Sequence, residues 1–72
     1  MKTATTVDIT ANGKPFQVRA GRPLVDFLSE VGFEPGLVVV EKNRKALTPA
    51  ETRDAVLEEG DSLEIVQITA GG

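Results

Sequence analysis

The sequence predicts an α+β chain in which a mixed sheet of four to five strands wraps around one main helix. Three observations predict it. Two alternating runs flank Asn12-Gly13, a helical stripe of apolar residues follows Pro23, and a last alternating run occupies residues 62–69. The chain has 72 residues, enough for one compact domain, and a single domain spanning 1-72 is expected.

Val7 and Ile9 alternate with Thr6, Asp8 and Thr10, the period of a half-buried strand. Asn12-Gly13 is a strong hairpin signal, because both turn positions require positive φ. Phe16 and Val18 then alternate with Gln17 and Arg19 as the second strand, with Pro15 near its start, where a missing N–H costs little. Leu24, Phe27, Leu28 and Val31 stand at i, i+3, i+4 and i+7, the stripe of an amphipathic helix. Pro23 suits its first turn and Gly32 its C-terminal cap, and Phe33 is expected to fold back under the helix end.

Glu34-Pro35-Gly36 breaks the chain, and Leu37 to Glu41 then reads as an interior strand, apolar on both faces. Ala46-Leu47 reads as a short edge strand. Thr48-Pro49-Ala50-Glu51 has the form of a capped helix start, with Thr48 as N-cap and Glu51 at the third helical position. Ala55, Val56 and Leu57 are expected to plug the open end of the core. Ser62 to Thr69 is the last strand, with Leu63 and Ile65 on one face and Val66 and Ile68 on the other. A hairpin followed by a helix needs a sheet to cover, and the last strand must join that sheet. The economical arrangement is the β-grasp, or ubiquitin-like, roll.

Composition removes most chemistries. The chain contains Cys 0 and His 0, which excludes disulfides, thiol nucleophiles, thiolate or imidazole metal sites and His-based acid–base catalysis. Lys+Arg 8 against Asp+Glu 11 gives a net charge of -3, which argues against nucleic acid. The longest apolar stretch, Leu37 to Val40, is far short of a membrane span, and Met1 to Thr6 does not read as a signal peptide. A cytoplasmic protein with no bound cofactor and no metal is expected. Glu58, Glu59 and Asp61 form the densest acidic cluster and read as a solvated loop. Lys42, Arg44 and Lys45 form the densest basic cluster and read as a solvated turn.

What remains is Ala70-Gly71-Gly72. Average glycine usage gives a chance Gly-Gly end in only about 0.5% of chains. Two residues without side chains enter a slot too narrow for any other pair, and they present a bare carboxylate. The expectation is a thin tail of about residues 69-72 leaving the last strand.

Asn12-Gly13 in the first hairpin, the run Leu37 to Asn43, and above all Gly60-Asp61 through Gly71-Gly72 resemble the small sulfur carriers of the ThiS type, used in forming the thiazole of thiamine. The resemblance covers nearly the whole chain. It departs at Arg44, where many members have Gly, at Thr52, where many have an aromatic residue, and around Pro49, where Arg is common. The resemblance implies that a ubiquitin-activating-type adenylyltransferase (ThiF/MoeB-like), consuming ATP, joins the Gly72 carboxylate to AMP. A persulfide donor then leaves a thiocarboxylate on Gly72, and the sulfur passes to thiazole synthase (ThiG-like) or another acceptor. The chain itself would be a carrier and not an enzyme.

Within that reading Gly72 is the modified residue, and Ala70 and Gly71 thread into the partner's active site. Val39, Val66 and Ile68 form an outward apolar docking patch beside the tail. Other carriers share the fold and the ending. The small subunit of molybdopterin synthase is one, although it usually has Pro and an aromatic residue near the Gly pair, which Gln67 to Ala70 lack. A carrier for tRNA thiolation or cysteine synthesis is another. A ubiquitin-like modifier of lysines and a plain β-grasp binding module are the alternatives from other classes.

Overall fold

The computed structural model describes residues 5–68. Five strands form one sheet in the order β2-β1-β5-β3-β4. They are β1 (Thr6–Ala11), β2 (Lys14–Arg19), β3 (Val38–Lys42), β4 (Lys45–Ala46) and β5 (Ser62–Gln67). The pairs β1–β2, β3–β4 and β3–β5 are antiparallel, and β1–β5 is parallel. The last strand to be made therefore sits at the centre of the sheet. This is the mixed β-grasp roll that the strand and helix pattern predicts.

The first hairpin turns at Asn12 and Gly13, with φ of 52° and 81°. Strand β2 leads into helix α1 (Leu24–Glu30), whose buried residues are Leu24, Phe27 and Leu28. Past its end the Phe33 N–H donates to the Leu28 carbonyl at 2.8 Å and the Gly32 N–H to the Ser29 carbonyl at 3.1 Å. That paired closure needs a left-handed residue, which Gly32 supplies at φ 100°. It turns Phe33 back against the core, where the ring is half buried.

The core lies between α1 and the inner face of the sheet. Val7, Ile9, Val18, Val40, Leu63 and Ile65 project into it from the strands, and Leu24, Phe27, Leu28 and Leu57 close it from above. Phe16 meets Phe27 edge-on, with ring centroids 5.1 Å apart, a favoured aromatic geometry.

Four elements differ from their sequence readings: the last strand, expected over residues 62–69, ends at Gln67, and three others depart as follows. Leu37 belongs to a single 3-10 turn, Pro35–Leu37, and β3 starts at Val38. The proline-glycine pair holds the backbone tight for one residue more than the apolar run suggests. Strand β3 has neighbours on both sides but one buried face: Val40 is buried and Val39 is exposed. The edge strand is Lys45–Ala46, one residue earlier than expected. In the plug, Leu57 is buried but Val56 is exposed and forms an isolated bridge with Pro23.

Helix α2 (Pro49–Asp54) starts as its sequence predicts. Thr48 Oγ1 accepts from the Glu51 N–H at 3.1 Å, and Glu51 Oε1 accepts from the Thr48 N–H at 2.9 Å. Two otherwise orphaned donors are thereby satisfied, which fixes a helix of only six residues.

Candidate functional site

The site is built around β5, the strand from which the predicted tail leaves. Both neighbouring hairpins hold it through a turn asparagine. The Asn12 backbone N–H donates to the Leu63 carbonyl at 2.9 Å. Strand β1 turns away at that point. The Asn12 side chain continues the ladder: Oδ1 accepts from the Ile65 N–H at 2.7 Å, and Nδ2 donates to the Ile65 carbonyl at 3.2 Å. A primary amide presents the same donor and acceptor as a peptide group, so it replaces one missing rung.

Asn43 does the corresponding job from the β3–β4 turn, where Asn43 and Arg44 have φ of 54° and 71°. Its backbone N–H donates to the Ser62 carbonyl at 2.8 Å. Its Oδ1 accepts from the Ser62 N–H at 2.9 Å, and its Nδ2 donates to Asp61 Oδ1 at 3.0 Å. At the other end of β5 the Ile68 N–H donates to the Leu37 carbonyl at 2.7 Å. The strand is fixed from its first residue, Ser62, to Ile68 just past its end.

Asp61 corrects the reading of Glu58, Glu59 and Asp61 as a solvated loop. It is 5% exposed, and Oδ2 accepts from the Glu58 N–H at 2.9 Å and lies 3.7 Å from Lys42 Nζ. Glu59 Oε1 accepts from the Asp8 N–H at 3.0 Å. Asp61 is thus a structural clasp that sets the start of β5, while Glu58 and Glu59 are exposed as expected. In the basic turn Arg44 and Lys45 are exposed as expected, and Lys42 is half buried against Asp61.

On the outer face Val39 and Val66 are directly opposite in the β3–β5 register. Val39 is 43% exposed, Val66 61% and Ile68 50%, so the three residues of the expected patch stand together and uncovered. Leu37 adds to them at 51% exposed. It shares the parity of Val39, but its place in the patch depends on the 3-10 turn, which the apolar run alone does not show. Glu41 and Glu64 face each other two residues along the same strands, and both are exposed. The outer face is thus apolar around Val39, Val66 and Ile68 and acidic at Glu41 and Glu64.

Thr69, Ala70, Gly71 and Gly72 lie outside the described residues. Among the described residues no group of three or more acidic, His or Cys side chains could hold a metal ion. No helix among them is long and apolar enough to cross a membrane.

The comparisons with known proteins point the same way as this geometry. The profile of the ThiS family matches residues 3–72. The crystal structure of a thiamine biosynthesis protein (ThiS) from Geobacter metallireducens superposes with a TM-score of 0.74 at 26% sequence identity, covering 92% of this chain and 100% of that one. A thiazole synthase of Magnetococcus marinus is 36% identical over 64 residues, which is 89% of this chain and 20% of that protein. The chain therefore spans about a fifth of the length of that curated relative.

Proposed function

The chain belongs to the ThiS family, and from that premise we propose that it is a sulfur carrier of thiamine biosynthesis whose cargo rides on the Gly72 carboxyl. The observation that carries this reading is the placement of β5. It is the central strand, anchored by Asn12, Asn43 and Leu37, it lies beside an exposed apolar patch, and Ala70-Gly71-Gly72 follow it closely in the sequence.

The chemistry asks little of the carrier. A carboxylate is a poor electrophile, so it is first joined to AMP by an adenylyltransferase, with release of pyrophosphate from ATP. The terminal sulfur of a persulfide attacks the acyl carbon and AMP leaves. A thiol then takes up the second sulfur as a disulfide and frees the thiocarboxylate. With Cys 0 and His 0, the carrier brings no thiol or imidazole of its own to compete, and every catalytic group comes from the partners. The core contributes rigidity, Gly71 and Gly72 contribute thinness, and Val39, Val66 and Ile68 contribute the surface on which the adenylyltransferase docks.

The acceptor is proposed to be thiazole synthase. The similarity of this chain to part of a thiazole synthase supports that pairing, since carrier-like and synthase segments joined in one polypeptide would be held close enough to exchange sulfur. Deleting Gly72 tests the reading. The truncated chain should support no sulfur transfer, while its stability changes by less than about 0.5 kcal/mol, as for surface changes in general. Full transfer by a chain ending at Gly71 would overturn it.

A further inference from the structure

Strand β3 has one finished edge and one unfinished edge. Its ladder with β5 bonds Leu37 to Ile68 and Asn43 to Ser62. Bonded pairs alternate along an antiparallel ladder, so Val39 and Glu41 also turn their backbone groups toward β5. Val38, Val40 and Lys42 turn theirs the other way. Strand β4 meets that second edge at Lys42 and Glu41, and the Leu47 N–H donates to the Val40 carbonyl at 2.9 Å. Beyond Leu47 the chain leaves the sheet to begin α2. Among the described residues the Val38 N–H and C=O have no partner on β4 and face an opening between β3 and the start of α2.

That opening is a groove whose walls include Val38, Leu47, Pro49, Thr52, Arg53 and Ile68. Its lining is mostly apolar, and Arg53 is its charged member. The Arg53 guanidinium is exposed and contacts its neighbour Asp54 through Nε at 3.4 Å. Its remaining donors suit a second carboxylate. An open strand edge is a template for another strand.

We propose that this groove receives a short extended segment of a protein partner, apolar in character and carrying one Asp or Glu, which adds to the β3 edge at Val38. The backbone groups of Val38 select an extended main chain, the apolar walls select its inward side chain, and Arg53 selects its carboxylate. The groove shares Val39 and Ile68 with the outer patch, so a partner lying on that patch passes over the groove. The identity of the partner rests on the carrier reading; the ligand chemistry of the groove does not.

The test uses the full isotope-labelled chain and blocked pentapeptides. Acetyl-Thr-Val-Asp-Val-Thr-amide should shift the Val38, Leu47 and Arg53 amide resonances. Methylating alternate peptide nitrogens should weaken binding about tenfold or more, because it removes main-chain pairing. Arg53→Glu should reverse the preference between this peptide and its Lys counterpart. Equal affinity of the methylated peptide, or shifts confined to Val66 and Ile68, would overturn the proposal. No partner enzyme is present in this titration, so its outcome is independent of whether Gly72 carries sulfur.

Discussion

The Asn12 side chain pairs with both backbone groups of Ile65, 53 residues away, and so supplies the last rung between β1 and the central strand. One residue thus sets both the first hairpin and the central strand.

Asn12→Gly separates those two roles. Glycine suits the left-handed turn better than asparagine does, yet it leaves the partly buried Ile65 N–H and C=O without partners. The expected loss is about 1–3 kcal/mol, the usual cost of an unsatisfied buried pair, with faster amide exchange at Ile65. Chemical denaturation checks it, and unchanged stability would mean that the turn is the only role of Asn12.

Arg44→Gly should act in the opposite direction. Arg44 holds φ 71°, a conformation that costs a residue with a Cβ about 1–2 kcal/mol. The residue is exposed and forms no ion pair or side-chain hydrogen bond among the described residues. A gain of up to about 1 kcal/mol in a urea titration is expected.

Most of the fold is legible in the sequence because its signals are local. The alternation of Val7 with Ile9 and of Leu63 with Ile65, the stripe from Leu24 to Val31 and the Thr48–Glu51 box are local patterns, and each marks the start of its element, while the last strand stops at Gln67, short of its expected end. The second roles of Asn12 and Asn43 are not local. Each depends on where β5 lies in the assembled sheet, and a turn asparagine has the same sequence appearance with or without that partner. Asp61 was hidden for the same reason: its acidic neighbours suggest solvent, and only the convergence of Asn43 and the Glu58 N–H buries it. The outward set of Val39, Val66 and Ile68 followed from strand parity. Leu37 joined it through a turn that the apolar run masked.

Leu63→Ala tests the assignment of the inner face. Leu63 is fully buried, and a cavity of that kind costs about 2–5 kcal/mol. A domain of this size has little more in total, so the variant should be partly unfolded at room temperature by circular dichroism. Melting near the parent temperature would contradict the packing described.

Val66→Asp tests the outer face. The side chain is exposed, so the thermal melt should be nearly unchanged. A charge placed in a desolvated contact should weaken the complex with the adenylyltransferase by about 2 kcal/mol or more, read in a binding titration. Unchanged affinity would move the docking surface elsewhere.

Gly71→Val tests the tail. A branched side chain should block adenylation, read as pyrophosphate release, while the melt stays that of the parent. Normal adenylation would show that the partner has no slot shaped for bare backbone.

The most direct measurement is the intact mass of the chain after incubation with ATP, an adenylyltransferase of the ubiquitin-activating type and a persulfide donor. The carrier reading predicts a mass higher by the difference between one sulfur and one oxygen atom, located at Gly72 by fragmentation and absent without ATP. An unchanged mass alongside confirmed adenylation, or sulfur found on any residue other than Gly72, would contradict it.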